Sequence, residues 1–206
     1  PPDTGNKQEV IDQIECLRDL ADAINVTDGA GAKSHMSALA TATIIAQNGI
    51  EPILQFTTRD RNRIAIQGDL LGGWALGIPN ILCLYGDEVK GGDQPETKEV
   101  RDLNTLSLLK TAHDIKTKKT YPSGRKIANA PEFFIGGADT PFKIKNDFDA
   151  SNLLKKINVG VQFFQTQYAF DENILKNYML KLKQLGITDK AYFIIGLGVI
   201  KSAKSA

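Results

Sequence analysis

Cysteine is scarce in this sequence: of 206 residues, Cys16 and Cys83 alone carry a thiol. One falls on an expected helix and the other inside an expected buried strand. Neither resembles part of a reactive pair or a metal site, and both read as reduced thiols of a cytosolic protein. An excess of charge of one sign is lacking too, since 25 Lys and Arg face 24 Asp and Glu for a formal net charge of +1. That balance gives no electrostatic case for nucleic acid or an anionic membrane surface as a partner. No apolar run approaches the roughly 18 residues of a membrane span. The opening PPDTGNKQ is unlike a signal peptide, so the cytoplasm is the expected compartment. A dinucleotide fingerprint is also missing: no Gly-x-Gly-x-x-Gly follows a strand pattern, Gly72-Gly73 lies in a helical pattern, and Gly91-Gly92 fits no such motif.

What is present is the composition of a soluble globular protein, 42% hydrophobic and 24% charged, at a length that suits one domain or a large part of one. Periodicity predicts helices over 7–22, 34–48, from the charged turn 58–63 to about Leu76, 103–113, 149–158 and 173–185. Short apolar runs predict strands over 23–27, 52–57, 81–84, 133–137, 163–167 and 191–196. Lys116 to Lys126, with Pro122 and Gly124, reads as an exposed basic excursion. A strand-loop-helix unit recurs roughly every 29 residues, with one long insertion after Ile81–Leu84. Such repetition argues for a parallel α/β sheet, either open and doubly wound or closed as a (β/α)8 TIM-type barrel. Near-equal units without the fingerprint favour the barrel. Six strands are visible where a barrel needs eight. The expectation is a single barrel domain over 1–206, with the first strand before Pro1 and the last β-α unit or units beyond Ala206.

In parallel α/β folds ligands bind at the C-terminal ends of strands. There this chain places Thr27-Asp28, Gln55, Tyr85-Gly86-Asp87, Gly137-Ala138, Thr166-Gln167 and Gly196 to Gly198. Asp87 follows a strand buried on both faces and precedes a Gly/Pro-rich loop, so it reads as a ligand-binding carboxylate or as an Asp that caps a turn. The set holds no Cys/His cluster for a metal and no nucleophile beside a histidine. Its amides and hydroxyls suit a heteroaromatic cofactor better than hydrolysis. Asp149, Asn152, Lys155 and Lys156 cluster at the start of one helix, either as an N-cap with solvated lysines or as a site for ribose and phosphate oxygens. Trp74 reads as core packing, and His35 and His113 carry no assigned role.

The runs INVTDGAGA, EPILQFTTRDRNR, GDLLGGWALGIPNILCLYGD, PEFFIGGADTP and QTQYAFD occur in one order along most of the chain, ending in IIGLGVIKSAKSA. In these motifs the sequence resembles the methylenetetrahydrofolate reductase family. The resemblance implies a (β/α)8 barrel that binds a flavin and reduces 5,10-methylenetetrahydrofolate to 5-methyltetrahydrofolate, a step of methionine biosynthesis. By that resemblance Asp87 and Gln167 are the catalytic and folate-binding residues. Asp87 lies between flavin and pterin, and Gln167 recognises the folate. Thr27, Asp28, Gln55, Tyr85, Gly86, Asp87, Ala138, Asp149, Asn152, Lys155 and Lys156 contact the cofactor. No metal is implied. FAD is the implied cofactor, with FMN open, and NAD(P)H or another donor supplies electrons. A folate is the implied substrate, and a homo-oligomer the implied assembly.

Departures from the family pattern are specific. Some members have His where this chain has Gln55, and Arg where it has Tyr85; both changes remove cationic contacts to the flavin. Arg59, Arg61 and Arg63 are candidates to compensate. The family's general-acid glutamate sits just before the Pro-Pro, a position that precedes Pro1, and its stacking aromatic falls beyond Ala206. Two competing readings keep the barrel: a folate-dependent demethylase or methyltransferase without flavin, and a non-catalytic subunit that needs an electron-delivering partner.

Overall fold

The computed structural model describes residues 1–145 and 148–198, so the run from Val199 onward lies outside the described residues. The chain divides into two compact units, Pro1–Ile135 and Gly136–Ala206. The first contains α1 (Lys7–Glu15), β1 (Ala23–Val26), α2 (Ala38–Gln47), β2 (Glu51–Thr57), α3 (Arg63–Ala75), β3 (Asn80–Leu84) and α4 (Thr105–Lys118). β4 (Phe134–Asp139) leads into the second unit, with α5 (Ser151–Asn158), β5 (Phe163–Tyr168), α6 (Glu172–Gln184) and β6 (Tyr192–Gly196). Among the described residues six strands are present, not the eight of a closed barrel.

In the first unit β2 pairs in parallel with β1 and β3, placing Val26 beside Leu54 and Phe56 beside Cys83. Parallel partners share a face, so the strands sort into two layers. Ile24, Val26, Leu54, Phe56, Ile81 and Cys83 face the helices; Asn25, Gln55 and Leu82 share the other face. Leu54 lies against Gly73 of α3, and Leu54, Ile81, Leu82 and Cys83 are at most 1% exposed. Burying each such side chain contributes about 1.5–3 kcal/mol. In the second unit β5 pairs in parallel with β4 and β6. Phe163 occupies the space that a side chain at Gly136 would fill, and Phe164 stacks on Phe193 at 5.2 Å.

The helices start where side-chain oxygens satisfy their first free amides. Asn6, Ser37, Asn62, Asn104 and Asp171 each accept from the first turn of α1, α2, α3, α4 and α6. Trp74 meets Phe133 edge-on at 5.6 Å, as the core-packing reading expects.

Several boundaries differ from the sequence reading, among them the start of α2 at Ala38 where 34 was expected, and two differ most. The helix expected over 7–22 stops at Glu15, because only Val10 and Ile14 of its apolar stripe are buried. Residues 17–21 close successive turns, Asp19 adopts φ +61°, Arg18 donates to the Asn48 carbonyl at 3.1 Å, and Leu20 stays 82% exposed. The basic excursion is partly helix: α4 runs on to Lys118, its apolar stripe continuing through Ile115. Lysines in a last turn suit the negative end of a helix dipole. Lys116 also donates to the Phe133 carbonyl at 2.8 Å. The excursion proper starts at Lys119 (φ +55°) and is closed by a bridge between Thr120 and Lys126.

Candidate functional site

Asp87 stands exposed three residues beyond β3, its Oδ2 accepting the Gly31 amide at 2.7 Å. Gly31 lies in the 3-10 turn Ala30–Ala32 that follows β1, so one carboxylate joins the loops after β1 and β3. Gly86 makes this placement possible. At φ +87° it adopts a conformation that glycine tolerates, and a Cβ there would press on Thr57 and Arg59 at 3.1–3.3 Å.

Arg59 is the buried node beneath these loops, 3% exposed. Its guanidinium holds Asp60 through two 2.7 Å bonds and donates to the carbonyls of Gly29 at 3.1 Å and Asp87 at 3.3 Å. Those contacts tie together the ends of all three strands in this unit. Gly29, at φ +59°, has no space for a side chain because Arg59 occupies it. Arg61 pairs with Asp28 and with Asp69 and lies 5.4 Å from the Phe56 ring. The Asp28 Oδ2 also accepts from the Thr57 amide at 2.8 Å and its hydroxyl at 3.0 Å. Arg63 turns outward to Asp102. Of the three loop arginines, then, two are built into the strand ends and one into the surface.

Thr27 is half-buried directly after β1, and Gln55 is 8% exposed on β2 with its amide nitrogen 3.2 Å from Asn25 Oδ1. Tyr85 leaves half its surface open. Sequence reasoning missed the group that closes over it. Arg101 lies 3.8 Å from the Tyr85 ring and donates to the carbonyls of Tyr85 at 2.8 Å and of Gly86 and Asp87 at 3.4 Å. Glu99 holds Arg101 Nε at 2.5 Å and accepts the Val89 amide at 3.1 Å. Hydrogen bonds from Arg101 and the Val89 amide lower the Glu99 carboxyl to about 2. The only sequence signal was a Glu-x-Arg triplet ahead of α4; its partners lie up to 16 residues back, across an irregular loop.

In the second unit Gln167 is exposed near the C-terminal end of β5. Gln165 pairs with Ile194 but Tyr168 with Gly196, so β5 advances three residues while β6 advances two. This bulge falls on Thr166-Gln167 and redirects the side chains there. Thr166 Oγ1 accepts the Gly196 amide and donates to the Gln167 carbonyl, both at 2.9 Å. Ala138 lies near the end of β4, and its carbonyl accepts from Lys156 at 2.5 Å. Lys156 therefore points at the strand rather than outward, with its pKa lowered by burial. Asp149, Asn152 and Lys155 are exposed around the start of α5, where Asp149 accepts the Ser151 amide at 2.8 Å.

A second group went unread in the sequence. Asp139 accepts from the Tyr178 hydroxyl at 2.9 and 3.1 Å, within rings of Phe142 and Phe148 that lie 5.4 and 5.9 Å from Tyr178. Burial raises the Asp139 carboxyl above its ordinary value, opposed by the phenol hydrogen bond. The partners are 39 residues apart, beyond any local pattern. Among the described residues no group of three His, Cys, Asp or Glu could hold a metal, and no helix is long and apolar enough to cross a membrane. Burial pushes the Cys83 thiol up to about 12, which suits an inert core residue.

Among solved structures, the chain is similar to an uncharacterized protein from Clostridium thermocellum that binds two copies of 5-methyl-5,6,7,8-tetrahydrofolic acid, with a TM-score of 0.62 at 15% identity. The match covers 95% of this chain and 62% of that one, and at this identity it speaks for the fold. The family model described as methylenetetrahydrofolate reductase matches residues 1–206, and the chain belongs to that family.

Proposed function

We propose that the protein binds a reduced folate at the Asp87 carboxylate beyond β3 and reduces 5,10-methylenetetrahydrofolate to 5-methyltetrahydrofolate. The observation that carries the reading is Asp87: an exposed carboxylate beyond β3, with one oxygen on the Gly31 amide and its backbone carbonyl gripped by Arg59 and Arg101. A carboxylate held in that way accepts N-H donors of a pterin and stabilises the positive charge that develops when the methylene-bridged ring opens to an iminium. Gln167, exposed beside the β5 bulge, presents a neutral amide that donates and accepts at once. Family membership and the folate-binding neighbour support a folate ligand.

Each unit, taken by itself, carries groups that suit a flavin. Asn152 and Lys155 lie exposed in the first turns of α5, where Asp149 takes the Ser151 amide and the Ala150 cap offers no side chain to the amides that follow, leaving those to ribose and phosphate oxygens. Tyr85, next to Gly86, leaves half its surface open beside the Arg101 guanidinium. Asp28 is committed to Thr57 and Arg61, so its part is to fix those donors. A bound flavin would supply the hydride; Asp87, in the first unit, would stabilise the charge of the acceptor, and Gln167, in the second, is the residue that the family resemblance assigns to folate recognition.

An absorption spectrum of the purified protein, followed by titration with 5-methyltetrahydrofolate, tests the proposal. A flavin band with saturable folate binding is expected. Folate binding without any flavin band would select the methyl-transfer reading instead, and neither signal would end both.

A further inference from the structure

We propose that Arg101, held by Glu99, is the positioning residue that fixes the Tyr85-Gly86-Asp87 turn and so aims the Asp87 carboxylate. The inference rests on the reading of Asp87 as the folate-facing group. Three successive carbonyls, of Tyr85, Gly86 and Asp87, turn toward one guanidinium. Clustered carbonyl oxygens repel one another, and a planar guanidinium with forked donors relieves that repulsion where a point charge could not. The same guanidinium covers the Tyr85 ring at 3.8 Å, fixing the residue from its side chain as well. Glu99 sets the angle of the fork from behind with contacts at 2.5 and 3.0 Å, and its hold on the Val89 amide ties the far side of the loop.

The backbone adds an independent sign. Arg101 sits at φ +40°, a conformation costly for any residue with a Cβ. Such strain persists only where surrounding contacts over-determine it, and here these are the guanidinium bonds together with the Val100 amide on the Arg59 carbonyl at 2.7 Å. Arg101 is not itself an open anion site, because Glu99, Tyr85, Gly86 and Asp87 take its donors. Its effect on a ligand passes through Asp87.

The geometry supplies a variant that separates positioning from folding. Arg101→Gly removes the guanidinium while placing at φ +40° the residue that best tolerates it. The readout is the Gly31 amide in the NMR spectrum of the full chain, since that proton reports the Asp87 carboxylate directly. The expected result is that Gly31 in Arg101→Gly shifts most of the way to its position in Asp87→Ala, and that Arg101→Lys, keeping charge without the fork, shifts partway. Affinity for 5-methyltetrahydrofolate should fall roughly tenfold or more in Arg101→Gly. A wild-type Gly31 resonance in folded Arg101→Gly overturns the proposal; should that variant not fold, a wild-type resonance in Arg101→Lys does so. If wild-type protein binds no folate while Gly31 moves as described, the positioning stands and the folate reading fails.

Discussion

Asp87 is a single carboxylate fixed by the backbone on either side of it. Gly86 supplies the left-handed turn, Gly31 the amide and Arg59 the anchor, so the charge is held without being buried. Substituting Asp87→Asn keeps the shape and removes the charge. Folate reduction should slow by roughly a hundredfold, the order seen when one charge-stabilising group is lost, while oxidation of the electron donor changes little. Steady-state and single-turnover rates check this. Gly29→Ala should destabilise the protein by about 1–3 kcal/mol, since a methyl group would displace the Arg59 guanidinium at a left-handed position. Chemical denaturation measures it. Tyr178→Phe should raise the Asp139 carboxyl further, because burial then acts without the phenol donor. Folding already favours the protonated carboxyl, so its contribution to stability falls as pH rises through the folded value. The variant moves that fall to higher pH, as a carboxyl NMR titration would record.

At the scale of elements, caps and buried strands set the frame. Asn62 accepts two amides at the start of α3, 3.1 and 3.0 Å away, directly after the loop carrying Arg59 and Arg61. Asn62→Ala should cost about 1 kcal/mol and loosen that loop, seen as a lower melting temperature. Most elements were legible in the sequence because strands such as Ile81–Leu84 are buried on both faces and read as unbroken apolar runs. The end of α1 was not, since Leu17 and Ala21 keep helical spacing although the chain has already turned. The Asp87 position was readable from its place after β3. Its supports were not: Arg101 reaches it from an irregular loop, and the bulge that turns out Gln167 depends on pairing with β6, which no local pattern encodes. The Asp139–Tyr178 contact likewise exists only once α6 has packed.

For the molecule as a whole, ion pairs around the loop after β3 contribute to stability in acid. Glu99 and Asp102 are both lowered to about 2 by hydrogen bonds, to Arg101 and to Arg63. A depressed folded value means that the unfolded chain binds more protons, so stability present above the ordinary carboxylate range is lost as pH falls toward 2. Glu99→Gln should flatten the acid limb of a stability-against-pH curve, and solvent screening keeps the effect modest. The proposed function stands on a reduced folate meeting the Asp87 carboxylate. Its most direct measurement is calorimetric titration of 5-methyltetrahydrofolate into the full-length protein and into Asp87→Asn. Saturable binding that weakens at least roughly tenfold in the variant is the predicted result; equal binding by the two proteins, or none by the wild type, would contradict it.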